Sequence, residues 1–133
     1  RTFTGVNNNR ATLMIAAIEK WLGMNLSTKD IFLNIAGGLK QTDPSLDLAI
    51  ILAIVSSAVQ LPYPDRLGVV GEVGLSGDIR AVPKVDRIVK EFENMGFSKC
   101  LIPEKNKDQV QKTSSIDILT ANAIIDAKTL LSI

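Results

Sequence analysis

Apolar residues at positions 11, 13, 14, 15, 18, 21 and 22 recur at helical spacing. With the cap-rich Asn7-Asn8-Asn9 before them and Gly23 after, they predict a first helix over 11–22. The short, β-branched and aromatic run Asp30 to Ile35 predicts a strand, punctuated by Gly37-Gly38, with Phe32 expected in the core. Asp43-Pro44-Ser45 supplies an N-cap and a first-turn proline for a second helix over 45–59. This helix is apolar nearly all round, so it should be the central buried one.

Weak alternation over Gly68 to Leu75 predicts a strand, and Gly77 a tight turn into Asp78-Ile79-Arg80. Pro83 is placed to open a third helix over 83–95, with Val85, Ile88, Val89 and Phe92 on one face and Gly96 as its cap. Lys99–Ile102 predicts a strand carrying Cys100, and a short polar helix is expected near 107–112. Ile116–Leu119 follows as a last strand, with Thr120 capping a closing helix that carries Ala123, Ile124, Ala127, Leu130 and Leu131. Phe97 is expected in the core. The order predicts one mixed α/β domain over 1–133, in two or three layers.

Composition narrows the chemistry. With 46% hydrophobic residues in 133, the chain can build one ordinary core. Fifteen basic against 14 acidic side chains give +1, which excludes a polybasic tail but not a local basic face. There is no histidine, so Ser-His-Asp and Cys-His arrangements and histidine metal ligands are excluded. The lone Cys100 forms no internal disulfide and has no partners at zinc-ligand spacing. The longest apolar run, Leu48 to Val59, is too short to cross a bilayer. The abrupt Arg1-Thr2-Phe3-Thr4 start suggests a processed chain or a piece cut from something longer.

Three groups of residues are candidates for function. Gly37-Gly38-Leu39-Lys40 superficially resembles a phosphate loop, but it lacks the Gly-x-x-x-x-Gly-Lys-Ser/Thr pattern, so a glycine turn is the reading. Asp43, Ser45 and Asp47 surround the start of the central helix, where Asp47 suits the helix dipole. Ser45 is a nucleophile only if Lys40, Lys84 or Lys90 reaches it through the fold. Lys84, Arg87 and Lys90 stand three apart and can line one exposed helix side, with Arg80 just before the helix, a basic stripe suited to phosphate contacts. Arg10 and Lys40 are weaker additions. Asp86, Glu91 and Glu93 interrupt this field, and a solvated charged face is the plain alternative.

Asn34-Ile35-Ala36-Gly37-Gly38-Leu39-Lys40, Asp47-Leu48-Ala49 and Gly71-Glu72-Val73-Gly74-Leu75-Ser76-Gly77-Asp78-Ile79-Arg80 resemble the C-terminal Lon-protease-like domain of the RadA (Sms) family of DNA-repair proteins. Asn9-Arg10, Gly96-Phe97 and Leu101-Ile102-Pro103 extend the likeness along the whole chain. The resemblance implies an α/β, Lon-protease-like (ribosomal protein S5 domain 2-like) layered domain, a mixed sheet packed by helices. In active Lon proteases the nucleophilic serine, counted from the glycine turn, falls here on Leu46. The general-base lysine falls on Asp86. Ser45 stands one place early, about 100° around the helix. The resemblance therefore implies a domain without protease chemistry.

It further implies a non-catalytic oligomerisation and DNA-contacting domain of an ATP-dependent branch-migration protein in recombinational repair. The expected partners are single-stranded or branched DNA and further copies of itself, a homohexamer in the full-length context. A recombinase and the replicative machinery follow as further partners. ATP, magnesium and zinc are expected only in parts outside this chain, whose own cofactor complement is expected to be none. No membrane is implied; the place of action would be a bacterial cytoplasm, or an organellar stroma or matrix. A residual Ser-Lys peptidase and a purely structural protein-interaction domain are the competing functions.

Overall fold

Helix α2 (Asp47–Val59) is the axis of the fold. Leu48, Ile51, Leu52 and Val55 are 0% exposed, and Ala53 and Ser57 are its exposed residues. Each such aliphatic side chain contributes about 1.5–3 kcal/mol by leaving water. A 3-10 turn (Pro44–Leu46) leads into the helix, and the Asp43 carboxylate accepts the Ser45 amide at 2.9 Å, as the Asp-Pro signal predicted. The computed structural model describes residues 1–36, 43–111 and 115–133. Lys40 and the Gly37-Gly38 turn lie outside the described residues.

Helix α1 (Asn8–Leu22) packs on α2. It begins earlier than the hydrophobic spacing alone predicts, because Asn7 Oδ1 accepts the amides of Asn9 at 2.8 Å and Arg10 at 3.3 Å. Strands β1 (Thr2–Thr4) and β2 (Phe32–Asn34) form a parallel pair in the register Thr2–Phe32, Phe3–Leu33 and Thr4–Asn34. The expectation for Phe32 is corrected here, since it is 78% exposed. Strand side chains alternate, and Ile31, Leu33 and Ile35 face the core, which turns Phe32 outward.

The run over Gly68 to Leu75 splits in two. β3 (Leu67–Val69) joins a parallel sheet with β6 (Lys99–Pro103) and β7 (Asp117–Ala121), in the order β3-β6-β7. Gly71 then leaves that sheet to meet the start of α2. Its amide donates to Ser45 O at 2.8 Å, and its carbonyl accepts from Leu48 N at 3.0 Å. β4 (Glu72–Val73) pairs antiparallel with β5 (Ile79–Arg80), closing the hairpin that Gly77 predicted.

Helix α3 (Val85–Asn94) starts later than expected, because Lys84 is in the left-handed region at φ 56° and Pro83 stays outside. The polar helix expected near 107–112 is a 3-10 helix over Glu104–Gln109. Thr120 lies inside β7 and caps nothing; extended Ala123 precedes α4 (Ile124–Leu130). Buried Asn106 was not foreseen as a core residue. Its amide accepts from Val82 N at 2.9 Å and donates to Val82 O at 3.0 Å, so it satisfies a backbone segment that no strand pairs.

The three-stranded sheet separates two cores. Leu101 of β6 faces the larger one, with α1, α2 and α4; Cys100 and Ile102 face the smaller one, with Val85 and Val89 of α3. Phe97 is half-buried against this second core, as expected, with its ring 5.5 Å from Phe92. The chain is thus a mixed α/β fold, with parallel and antiparallel strand pairs packed by helices.

Candidate functional site

Two neighbourhoods hold the residues singled out from the sequence. The first is the start of α2. Asp47 is 1% exposed and accepts from Arg10 Nε at 2.8 Å and from Arg10 Nη2. Its second oxygen also accepts the Val73 amide at 3.0 Å, so one carboxylate ties α1, α2 and β4 together. Glu72 stands 3.8 Å from the same guanidinium. The hydrogen bond to Asp47 raises the already high pKa of Arg10, with the nearby carboxylate charges adding to it. Arg10, a candidate phosphate contact from sequence, therefore has its fork directed at protein carboxylates.

A cleft of about 290 Å³ opens beside this pair, with Val6, Leu13, Leu46 and Ile50 as its apolar walls. Leu46, at the position of the protease nucleophile by resemblance, is half-buried and brings only carbon to the cleft. Ser45 is 8% exposed and held by its backbone. Among the described residues no lysine is hydrogen-bonded to it.

The second neighbourhood runs from the β4–β5 hairpin onto α3. Arg80 ends β5 with its side chain 54% exposed and its Nε 3.3 Å from Asp78 Oδ2. Ser76 Oγ donates to Asp78 Oδ1 at 2.6 Å. The Ser76 hydroxyl first, and Arg80 after it, hold the Asp78 carboxyl below the usual carboxylate range. The turn is fastened to α1 by Trp21 Nε1, which donates to Leu75 O at 2.9 Å. Gly77, at φ 77°, lies so close under the indole that a Cβ there would sit 2.9 Å from Trp21 Cγ. Lys20 lies over the same ring, 5.0 Å from its centroid.

Lys84, just before α3, and Arg87 and Lys90 on it are all exposed, and the Lys84 carbonyl accepts the Arg87 amide at 3.1 Å. Different clefts take in different members of the basic group that the sequence gathers. Arg80 shares a cleft of about 260 Å³ with Arg10, Glu72, Leu13 and Leu75, whereas Lys90 lines another with Asp86 and Glu93. Asp86 lies exposed in the first turn of α3, where the helix dipole favours a carboxylate. Among the described residues it has no ion-pair or side-chain hydrogen-bond partner, so it remains a carboxylate that interrupts the basic field. Nor, among them, is there a cluster of three or more His, Cys, Asp or Glu arranged to hold a metal ion, or a helix long and apolar enough to cross a membrane.

The Arg10–Asp47 pairing was not visible in the sequence, because the two residues lie 37 positions apart. Asp47 read as a helix-dipole residue and Arg10 as a free cation. No local signal links them.

Comparison with known proteins adds the family. A family model described as subunit ChlI of Mg-chelatase matches residues 5–106, about three quarters of the chain. The DNA repair protein RadA of Bacillus subtilis (strain 168) is 36% identical over 127 residues, which is 96% of this chain and 28% of that protein. RadA of Haemophilus influenzae is 34% identical over 131 residues, 98% of this chain and 28% of the relative. RadA of Escherichia coli (strain K12) is 39% identical over 106 residues, 80% of this chain and 23% of the relative. The chain thus spans between 23% and 28% of the length of these curated relatives. On this evidence the chain belongs to the family that the ChlI model describes and is a homologue of the RadA (Sms) DNA repair proteins.

Proposed function

We propose that residues 1–133 are a Lon-protease-like, proteolytically inactive domain that contacts DNA and assembles with its own copies within a longer ATP-dependent branch-migration protein. The reading is carried by similarity to proteins named for DNA repair along nearly the whole chain. The chemistry is compatible with it. Leu46 offers no nucleophilic atom, Asp86 cannot act as a lysine, and Ser45 is held in the fold by backbone bonds. Exposed Arg80, Lys84, Arg87 and Lys90 suit contacts to a phosphate backbone. Such contacts carry no base identity, as a protein that moves along any sequence requires. Arg10, committed to Asp47, contributes least to this surface. Lys40 stays in the proposal on sequence grounds alone.

The test is DNA affinity of a variant with Arg80, Lys84 and Arg87 all changed to alanine, measured at about 50 mM and about 200 mM salt, where each lost phosphate contact should lower the salt slope by about one. Folding and oligomer size are checked first. Binding identical to the parent at both salts would refute the assigned surface and favour a purely structural interaction domain. Measurable peptide hydrolysis that disappears with Ser45→Ala would instead restore the peptidase reading. In the full-length protein, size measured across a concentration series should report a closed homo-oligomer, a hexamer by resemblance.

A further inference from the structure

We propose that Asp78, buttressed by Ser76 and laid across the bare Cα of Gly74, fixes the pose of Arg80 so that the outer edge of its guanidinium meets a nucleic-acid phosphate. The inference rests on the DNA-contacting reading above. An arginine on a surface strand normally samples many rotamers and loses that freedom when it binds. One already held loses less, and its fork arrives in the geometry a phosphate needs.

The hairpin builds such a hold from short-range parts. Gly74 N donates to Asp78 O at 2.9 Å and Gly77 N to Gly74 O at 3.0 Å, which closes the turn. Ser76 then fixes one carboxylate oxygen of Asp78, and the other accepts Arg80 Nε at 3.3 Å. The guanidinium lies close against Gly74. A Cβ there would overlap the Asp78 carboxylate and stand 2.7 Å from Nη2 and 2.8 Å from Nε of Arg80. Only a residue without a side chain leaves that bed open.

The hold engages Arg80 through Nε, on a side chain that remains 54% exposed. The adjoining cleft of about 260 Å³ has Leu13 and Leu75 as apolar walls. Its two other charged residues are Arg10 and Glu72, and Glu72 faces Arg10 at 3.8 Å. Arg80 is therefore the cation this cleft offers to a ligand. Exposed Lys84, Arg87 and Lys90 follow on the next element, a repeated positive charge suited to a polyanion.

The sign of one substitution separates positioning from plain electrostatics. If Asp78 is only a surface carboxylate, Asp78→Asn removes a charge that repels DNA, and binding should stay equal or tighten. If Asp78 sets the pose of Arg80, the same variant should bind about three- to tenfold more weakly, the loss expected from freeing one long side chain. Its salt slope should stay near the parent's, since the positive charge is retained.

The measurement is fluorescence anisotropy of a labelled, mixed-sequence forked DNA oligonucleotide at two salt concentrations. Arg80→Ala should lower both affinity and slope. Ser76→Ala should weaken binding in the same direction as Asp78→Asn, and Ser76→Thr should restore it. Should Asp78→Asn not fold, Ser76→Ala and its threonine rescue read the same hold without altering charge. Weaker binding by Arg80→Ala together with unchanged or tighter binding by Asp78→Asn would overturn the positioning inference and leave the DNA reading standing. A parent chain that binds no DNA, or an Arg80→Ala variant indistinguishable from it, would overturn both at this face. Displacement of the DNA by polyglutamate as readily as by unlabelled DNA would overturn the choice of partner.

Discussion

Replacing Asp47 with alanine removes a carboxylate that is 1% exposed and holds three elements at once. Val73 N–H would lose its acceptor in a buried setting, at a cost of about 1–3 kcal/mol. The ion-pair part is smaller than for a fully buried pair, because the Arg10 side chain is 31% exposed and Glu72 is 3.8 Å away. About 1 kcal/mol is appropriate there. Asp47→Ala should therefore destabilise the chain by about 2–4 kcal/mol. Arg10→Ala should cost a similar amount, about 2–4 kcal/mol, below the figure for a fully buried pair because water can reach the carboxylate from the partly exposed Arg10 side and the Val73 amide stays on it. The double variant should then fall short of the sum of the two by about 1–3 kcal/mol. Urea unfolding followed by far-UV circular dichroism and by Trp21 fluorescence supplies all three values, Trp21 lying on the same helix as Arg10. Single-variant effects that add within about 0.5 kcal/mol would refute the coupling.

Other expectations follow from the same structure. Ile51→Ala and Ile54→Ala should each cost about 2–5 kcal/mol in urea unfolding, with Ile54, 8% exposed, at the lower end; a change within error would refute α2 as the central helix. Burial pushes the Cys100 thiol up to about 11, so native protein at pH 8 should react with thiol reagents far more slowly than urea-unfolded protein. The raised value adds stability fully present below the unfolded pKa of about 8.5 and lost as pH rises through the folded one. The urea midpoint of the parent should thus fall above pH 9 by more than that of Cys100→Ala. Gly77→Ala meets both φ 77° and the Trp21 ring, and should cost about 1–3 kcal/mol with a shifted Trp21 emission; an unchanged spectrum and midpoint would count against the clasp.

Periodicity was informative wherever a long element buries one face. α1, α2 and the Val85–Phe92 face of α3 were readable because their apolar spacing repeats over several turns. Short strands were harder. The parity of β2 depends on which residues neighbour the core, and an aromatic ring is no guide when its two flanking aliphatics already fill it. Boundaries failed where one residue's backbone decides. Lys84 takes a positive φ that nothing in Pro83-Lys84-Val85 announces, and Asn7 extends α1 by a side-chain hydrogen bond rather than by hydrophobicity. At the candidate site the exposed cations were legible because charge and spacing are local. The carboxylates beside them were not foreseen. Asp78 is two residues from Arg80, whereas Asp47 reaches Arg10 only through the packing of α1 against α2.

Strand β6 sits between both its sheet neighbours and both cores, with Leu101 turned one way and Cys100 and Ile102 the other. Neither half of the domain can open without exposing one face of this strand, so neither has a private unfolding reaction. The amides of 100–102 should be the last to exchange with deuterated solvent, at a rate set by global unfolding. Those of β1 and β2, a pair of three-residue strands with Phe32 in solvent, should exchange through local openings long before.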